Sequence, residues 1–313
     1  MSALKNKLLA FIKLSRLPFQ EPILAPLISG ILTAYFMGYR VENLFWIVFI
    51  SIIVAYLIEQ ATLFSNEYFD YEGDLLNKNY TKFSGGSRSL SEGNLPRATG
   101  LIAMIVTTTI LIIIGIIYML TLYNLRPLFL IYGVIGIIFG IFYSTPPFKW
   151  AYRGVGELFI GIAFGVMGYT VGFYAIAGHI TLLSVLFSIP SALSVFAIIV
   201  INEVPDYNSD ISVRKKNLVV RFGTEKSIYY IYFPAIILTV LISILLGIMV
   251  FGVLGAIFSA ILMIPLLTII TRWLYAIPKT KIKIESMQAS TIFCNLIASF
   301  IPAILILLKV FIS

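Results

Sequence analysis

Charge is scarce in this sequence. Only 12% of its 313 residues are Asp, Glu, Lys or Arg, about half the roughly 25% of a soluble domain. Histidine and cysteine are almost absent, with His179 and Cys294 the sole examples. A lone cysteine inside an apolar run excludes a disulfide framework. A lone histidine in a short turn reads as a loop residue rather than a metal ligand. No charged, apolar and then small-residue leader pattern opens the chain, so the first apolar span is expected to be retained. What is abundant is apolar surface, since 60% of the residues are hydrophobic. No single soluble core of this size hides that much, so the expected solvent is a bilayer.

A membrane helix needs about 20 mostly apolar residues. Nine segments qualify: Ile23–Met37, Leu44–Phe64, Thr99–Leu120, Leu128–Tyr143, Val155–Ala177, Leu182–Ile201, Ile228–Val250, Val253–Leu274 and Met287–Leu308. The expectation is an all-α membrane protein: a bundle of nine transmembrane helices in a single polytopic domain over residues 1–313, with two long cytoplasmic loops capping a central cavity. The net charge of +8 could suggest nucleic acid, but its distribution suggests a membrane protein instead. With nine spans, 19 basic residues fall on one side, from Lys5 near the N-terminus to Lys279 and Lys283 before the last span. Only Arg40, Arg126 and Lys309 fall on the other. The positive-inside rule then places the N-terminus in the cytoplasm and the C-terminus outside. Attraction to anionic lipid accounts for most of these basic residues, and no nucleic acid partner is expected.

Seven of the 14 acids lie in two short stretches, Asn66–Asp74 and Asn202–Asp210, and both read N-E-x-x-D-Y-x-x-D. Residues four apart share a helix face. Asn66, Asp70 and Asp74 would form one polar stripe, and Asn202, Asp206 and Asp210 another. Like charges at this spacing repel unless a cation sits among them. Acids also sit badly at a helix C-terminus, where the macrodipole is negative. Carboxylate and amide oxygens are hard ligands that suit Mg²⁺, which takes one or two carboxylates and fills its shell with water and phosphate. Two such stripes on one side of the membrane are expected to hold Mg²⁺, two ions by this reading, with a diphosphate as bridging ligand.

These paired motifs on two loops of a nine-span protein resemble the UbiA superfamily of intramembrane prenyltransferases, over nearly the whole chain. Three further segments resemble the branch that contains 1,4-dihydroxy-2-naphthoate polyprenyltransferase: Ser84–Leu90, Tyr143–Gly154 and Asp210–Gly223. The departures are Glu67 where Asp is common, Arg214 where Gly is usual, and Asn217 where Thr is usual. The resemblance implies Mg²⁺-dependent transfer of a polyprenyl group from its diphosphate to an aromatic acceptor, through a prenyl carbocation, in the manner of menaquinone-type biosynthesis. It places Asp70, Asp74, Asp206, Asp210, Tyr143 and Lys149 in catalysis. The negative diphosphate needs cations, and by position these are Lys82, Arg88, Lys149, Arg153 and Lys215. Glu59 lies two helical turns before Asn66 and, with Tyr68 and Glu21, is a candidate for the acceptor pocket. Two other readings stay open. Prenyl transfer to a geranylgeranylglyceryl phosphate would use the same metal motifs. A transporter would place its acids near the bilayer midplane, whereas these acids cluster at span ends.

Overall fold

The computed structural model describes residues 2–121, 126–274 and 281–312. Arg126 and Lys283 lie within these ranges, and Lys279 lies outside them. Among the described residues the chain is helical, with no strand. Helix α1 spans Ser2–Leu14 and α2 Glu21–Phe36, with a 3-10 turn at Leu17–Gln20 between them. Helix α3 spans Leu44–Phe69, α4 Tyr71–Leu76, α5 Ala98–Thr121 and α6 Leu128–Ser144. Helix α7 runs over Gly156–Ala177, with a π-helical stretch at Gly161–Met167. Helix α8 spans Leu182–Glu203, α9 Tyr207–Ser212, α10 Leu218–Phe222, α11 Phe233–Leu274 and α12 Lys281–Ile312. Among the described residues, six helices are long and apolar enough to cross a membrane, and α2 and α6 are shorter apolar helices.

Helix α11 is two arms rather than one rod. Phe251 (φ −141°) and Gly252 (φ 60°, ψ −145°) leave the helical region. Gly247 and Gly255 touch: a Cβ on Gly247 would lie 2.7 Å from the Gly255 carbonyl carbon. Eight residues of straight helix would separate them by about 12 Å, so the chain reverses between them. The glycine at the turn is required, because that combination of φ and ψ is essentially closed to residues with a Cβ.

The described residues fall into two compact groups. One gathers Glu21–Ala55, Ile160–Ile201 and Glu225–Ser313. Helix α2 crosses α7 closely there: a Cβ on Gly172 would lie 2.9 Å from the Leu27 carbonyl carbon. Small polar residues join its helices where no water competes, the use such residues have in bilayers. Ser194 donates to Asn295 at 2.7 Å, and Asn295 donates to Glu21 at 3.0 Å. The Tyr169 hydroxyl donates to Thr33 at 2.8 Å. The other group gathers Met1–Gln20, Tyr56–Phe159 and Asn202–Thr224, and it contains both acidic motifs.

Candidate metal and diphosphate site

The first motif keeps its helical register across a bend. The Asp70 amide donates to the Asn66 carbonyl at 2.8 Å, and the Asp74 amide to Asp70 at 3.0 Å. Asn66, Asp70 and Asp74 therefore stay on one stripe although α3 ends at Phe69 and α4 begins at Tyr71. The second motif does not keep it. Pro205 has no N–H to continue the ladder, and the Asp206 amide turns back to Glu203 at 3.1 Å. Register resumes only at Asp210, whose amide donates to Asp206 at 2.8 Å. Asn202 is thus offset from Asp206 and Asp210, and its buried Oδ1 has no hydrogen-bond partner.

Lys215 joins the two motifs. Its Nζ lies 2.9 Å from Asp70 Oδ2 and 3.2 Å from Asp210 Oδ1. The turn before it places Arg214 at φ 60°, a left-handed conformation that glycine adopts freely and other residues rarely do. That is a physical reason for the glycine usual at this position, and Arg214 occupies it under strain. Asn217 acts twice: its Oδ1 caps α10 by accepting from the Val220 amide at 2.8 Å, and its Nδ2 donates to Asp210 Oδ2 at 2.7 Å.

The loop after α4 closes over the same carboxylates. Asn77 donates to Asp206 Oδ1 at 2.6 Å, and the Gly85 amide to Asp206 Oδ2 at 3.3 Å. Gly86 has φ +70°, and a Cβ there would meet the Asp74 carboxyl carbon at 2.8 Å. Arg88 donates to the Asp74 carbonyl, and its guanidinium covers the Tyr80 ring. Glu67 anchors this loop: Oε1 accepts from the Ser87 amide at 2.5 Å and Oε2 from the Ser87 hydroxyl at 2.8 Å. The longer Glu67 side chain, where Asp is common, is spent on that bridge.

The Tyr152 hydroxyl donates to Asp70 Oδ1 at 2.8 Å. The Lys149 and Lys215 ammonium groups lie 4.6 and 5.1 Å from the centre of its ring. Asn66 donates to Asp70 Oδ2 at 2.7 Å and to the Ser144 hydroxyl at 3.0 Å. The Tyr143 ring packs against Gly156. Other sequence-predicted residues stand apart. Arg153 is exposed and donates to the Pro147 carbonyl at 2.9 Å, and Lys82 is exposed. Tyr68 stacks edge-on with Phe69 and lies under the Arg97 guanidinium. Glu59 is buried, and its Oε2 has no hydrogen-bond partner. Glu21 lies in the other compact group and bonds Asn295. Tyr152, Asn77 and Ser144 have no role assigned from sequence. Tyr152 lies in a segment that carries the resemblance, whereas nothing in the spacing points to Asn77.

The electrostatics call for a cation. Burial pushes the Asp206 carboxyl up to about 7, and Asp210 adds to the rise. Burial also raises Asp74 well above the usual carboxylate range, with Glu67, Asp70 and Asp206 reinforcing it. Burial raises Asp210, and Lys215 partly offsets this. Burial opposes the charge on Lys215, but Asp70 and Asp210 outweigh it and hold the ammonium well above its ordinary range. Burial, with Asp70 beside it, keeps the Tyr152 phenol protonated and donating. Among the described residues, no group of three or more His, Cys, Asp or Glu side chains is arranged to hold a metal ion by itself. The donor set is nevertheless all oxygen, and Asn202 Oδ1 is a buried acceptor with no donor. These residues fit Mg²⁺, which needs few protein ligands and takes the remainder from water and phosphate.

Comparison with known proteins gives the family and the fold. The sequence model of the UbiA prenyltransferase family matches residues 27–297. The chain is 32% identical over 96 residues to 1,4-dihydroxy-2-naphthoate octaprenyltransferase of Bacillus subtilis, a match covering 31% of each. It is 31% identical over 109 residues to UbiA prenyltransferase domain-containing protein 1 of Dictyostelium discoideum, covering 35% of this chain and 32% of that one. The matched stretch thus spans about a third of the length of these curated relatives. Solved structures share the fold, among them the following two. A digeranylgeranylglyceryl phosphate synthase superposes with a TM-score of 0.62 at 22% identity, covering 97% of this chain and 99% of that one. A UbiA homolog from Archaeoglobus fulgidus bound to DMAPP and Mg²⁺ superposes with a TM-score of 0.65 at 15% identity, covering 93% and 98%. With its family model matched over most of its length, this chain belongs to the UbiA prenyltransferase family.

Proposed function

We propose that the protein transfers a polyprenyl group from its diphosphate to the ring of an aromatic quinone precursor, with a dihydroxynaphthoate as the leading acceptor. The observation that carries this reading is the meeting of the two acidic motifs at one lysine, through Asp70, Lys215 and Asp210. The donor oxygens of Asn66, Asp70, Asp74, Asn202, Asp206 and Asp210 would hold Mg²⁺, as two ions. Bound there, Mg²⁺ would act as a Lewis acid that neutralises charge developing on the leaving diphosphate.

The residues of the chain do the rest. Tyr152 and Asn66 fix the Asp70 carboxylate, and Asn77 with the Gly85 amide fixes Asp206. Lys215 is a positive charge already at the site, held by Asp70 and Asp210, and would help balance the charge of a diphosphate there. Lys149, which shares the Tyr152 ring with Lys215, and Arg88, on the Asp74 carbonyl, are the next candidates, and Lys82 and Arg153 are outer ones. Tyr143 and Lys149 are the candidates for the reacting end of the prenyl chain. Apolar helix faces exclude water from the prenyl cation. Glu59, with Tyr68 as a further candidate, would contribute to the acceptor pocket, and its buried Oε2 suits a hydroxyl donor on a ring.

The acceptor reading is supported by the local likeness to a dihydroxynaphthoate octaprenyltransferase and by the matching loop segments. The similarity in fold to a digeranylgeranylglyceryl phosphate synthase favours a glycerol-phosphate ether acceptor as the second reading. We also read the chain as one prenyltransferase domain of nine spans, counting the arms of α11 separately, with a cytoplasmic N-terminus and the motif loops on that side. Incubating the purified protein with Mg²⁺, several prenyl diphosphates and both acceptor classes, followed by mass spectrometry, tests the function. Prenylated aromatic acid is the expected product. Turnover of geranylgeranylglyceryl phosphate with none of any aromatic acid would sink the aromatic reading.

A further inference from the structure

Helix α1 is not a span. Its 13 residues extend about 20 Å, short of the ~30 Å hydrocarbon core. One side of it is packed: Ala10 and Leu14 are buried against Phe64, Leu90, Leu95 and Ala103. A second side carries Leu4, Leu8, Phe11 and Ile12 at the i, i+4, i+7, i+8 spacing of one helical stripe. These are exposed, Leu4 by 76% and Leu8 by 60%. At 3.6 residues per turn, Lys5 and Lys7 flank the stripe about 75° and 85° to either side of its centre. Lys13 lies nearly opposite, 3.8 Å from Glu92. The helix contains no acid.

We propose that α1 lies in the plane of the membrane interface, its Leu4–Ile12 stripe sunk into the acyl boundary and Lys5 and Lys7 engaging anionic lipid headgroups. An apolar stripe bordered by lysines, on a helix too short to cross, has the chemistry of an interfacial helix, and long lysine stems reach from such a stripe to the headgroups. The seating connects to the metal and diphosphate site through the packed side of the helix. The Ser89 hydroxyl donates to the Ala10 carbonyl at 2.9 Å, and Leu90 sits in the α1 cluster. The same loop carries Gly85 and Gly86 against Asp206 and Asp74, and Arg88 beside them. An α1 anchored on the bilayer therefore holds the glycine loop closed over the carboxylates. This link to turnover rests on the prenyl-transfer reading, whereas the lipid seating does not.

The full chain is reconstituted in phosphatidylcholine vesicles with or without phosphatidylglycerol. Leu8→Cys carries an environment-sensitive fluorophore, Cys294 being buried, and Asn94→Cys serves as the control. Brominated acyl chains are expected to quench the label at position 8 and not at position 94, more strongly with phosphatidylglycerol present. Lys5→Gln combined with Lys7→Gln should lower the seated fraction about tenfold or more and abolish the difference between the two lipid compositions. Diphosphate release by the same double variant should lose its dependence on phosphatidylglycerol. Absence of quenching at position 8, or self-quenching between copies in its place, overturns the lipid assignment. Normal quenching with a rate insensitive to lipid in the wild type overturns only the link to the site. Quenching as expected from a protein that releases no diphosphate leaves the seating standing and sinks the prenyl-transfer reading instead.

Discussion

Single side chains decide how the two motifs become one site. Asp70 is held from three sides by Asn66, Tyr152 and Lys215, and Asp206 by Asn77 and the loop amide of Gly85. If both carboxylates serve one metal-diphosphate cluster, Asp70→Asn and Asp206→Asn should each cost about 100-fold or more in turnover, the scale for losing one group that stabilises developing charge. The double variant should be little worse than either single one, because residues that act as a unit lose their function together. Turnover against Mg²⁺ concentration for the four proteins checks this, and a near-normal Asp206→Asn would break the shared-site reading. Lys215 makes a separate prediction. Removing one partner from a buried ion pair leaves the other uncompensated, at a cost on the order of 3 kcal/mol. Lys215→Ala should therefore lower the melting temperature measured in EDTA, and added Mg²⁺ should restore more stability to this variant than to the wild type. Equal Mg²⁺ shifts in both would show that Lys215 does not occupy the place of a cation.

At the scale of elements, the turns between helices aim the motifs. Pro205 interrupts the ladder between α8 and α9, so Asn202 stands out of line with Asp206 and Asp210. The left-handed turn at Arg214 returns Lys215 toward the carboxylates, and the left-handed glycines 85 and 86 let the loop backbone press against Asp206 and Asp74. Left-handed backbone costs a residue with a Cβ roughly 1–2 kcal/mol. Arg214→Gly should thus stabilise the protein by up to about 1 kcal/mol, once the entropy of glycine is subtracted, with turnover unchanged. Gly86→Ala should do the opposite, since φ +70° and the nearby Asp74 carboxyl both resist a methyl group. Thermal melts of the two variants, with and without Mg²⁺, check the signs. An Arg214→Gly protein less stable than the wild type would mean that the arginine side chain contributes more than its backbone costs.

At the scale of the whole molecule, the paired motifs require both connecting loops on one side of the membrane. With the nine spans proposed above, the bias of 19 basic residues to 3 predicts that this side is the cytoplasm. Asn208 is exposed on α9, so Asn208→Cys reports on this directly. The expected result is no labelling by an impermeant thiol reagent in intact cells and full labelling after permeabilisation. Labelling from outside would invert the topology, and the function proposed from the site would be unaffected.

The sequence alone determined the solvent, the helical class and the two acidic motifs, because hydropathy and i, i+4 spacing are local properties that survive without a fold. The Asn66–Asp70–Asp74 stripe was readable for that reason. The Ser84–Leu90 loop was legible only through its resemblance, and the structure supplies the physical reason for its glycines, the positive φ of Gly85 and Gly86. Only the tertiary structure decided that Lys215 lies between Asp70 and Asp210, that Tyr152 and Asn77 hold the carboxylates, and that Tyr68 points to Arg97. Those outcomes depend on contacts across as many as 145 residues of sequence, set by how helices pack and where turns bend. A lysine ion-paired at such a site and a lysine facing lipid headgroups have the same local pattern, and only packing separates Lys215 from Lys5.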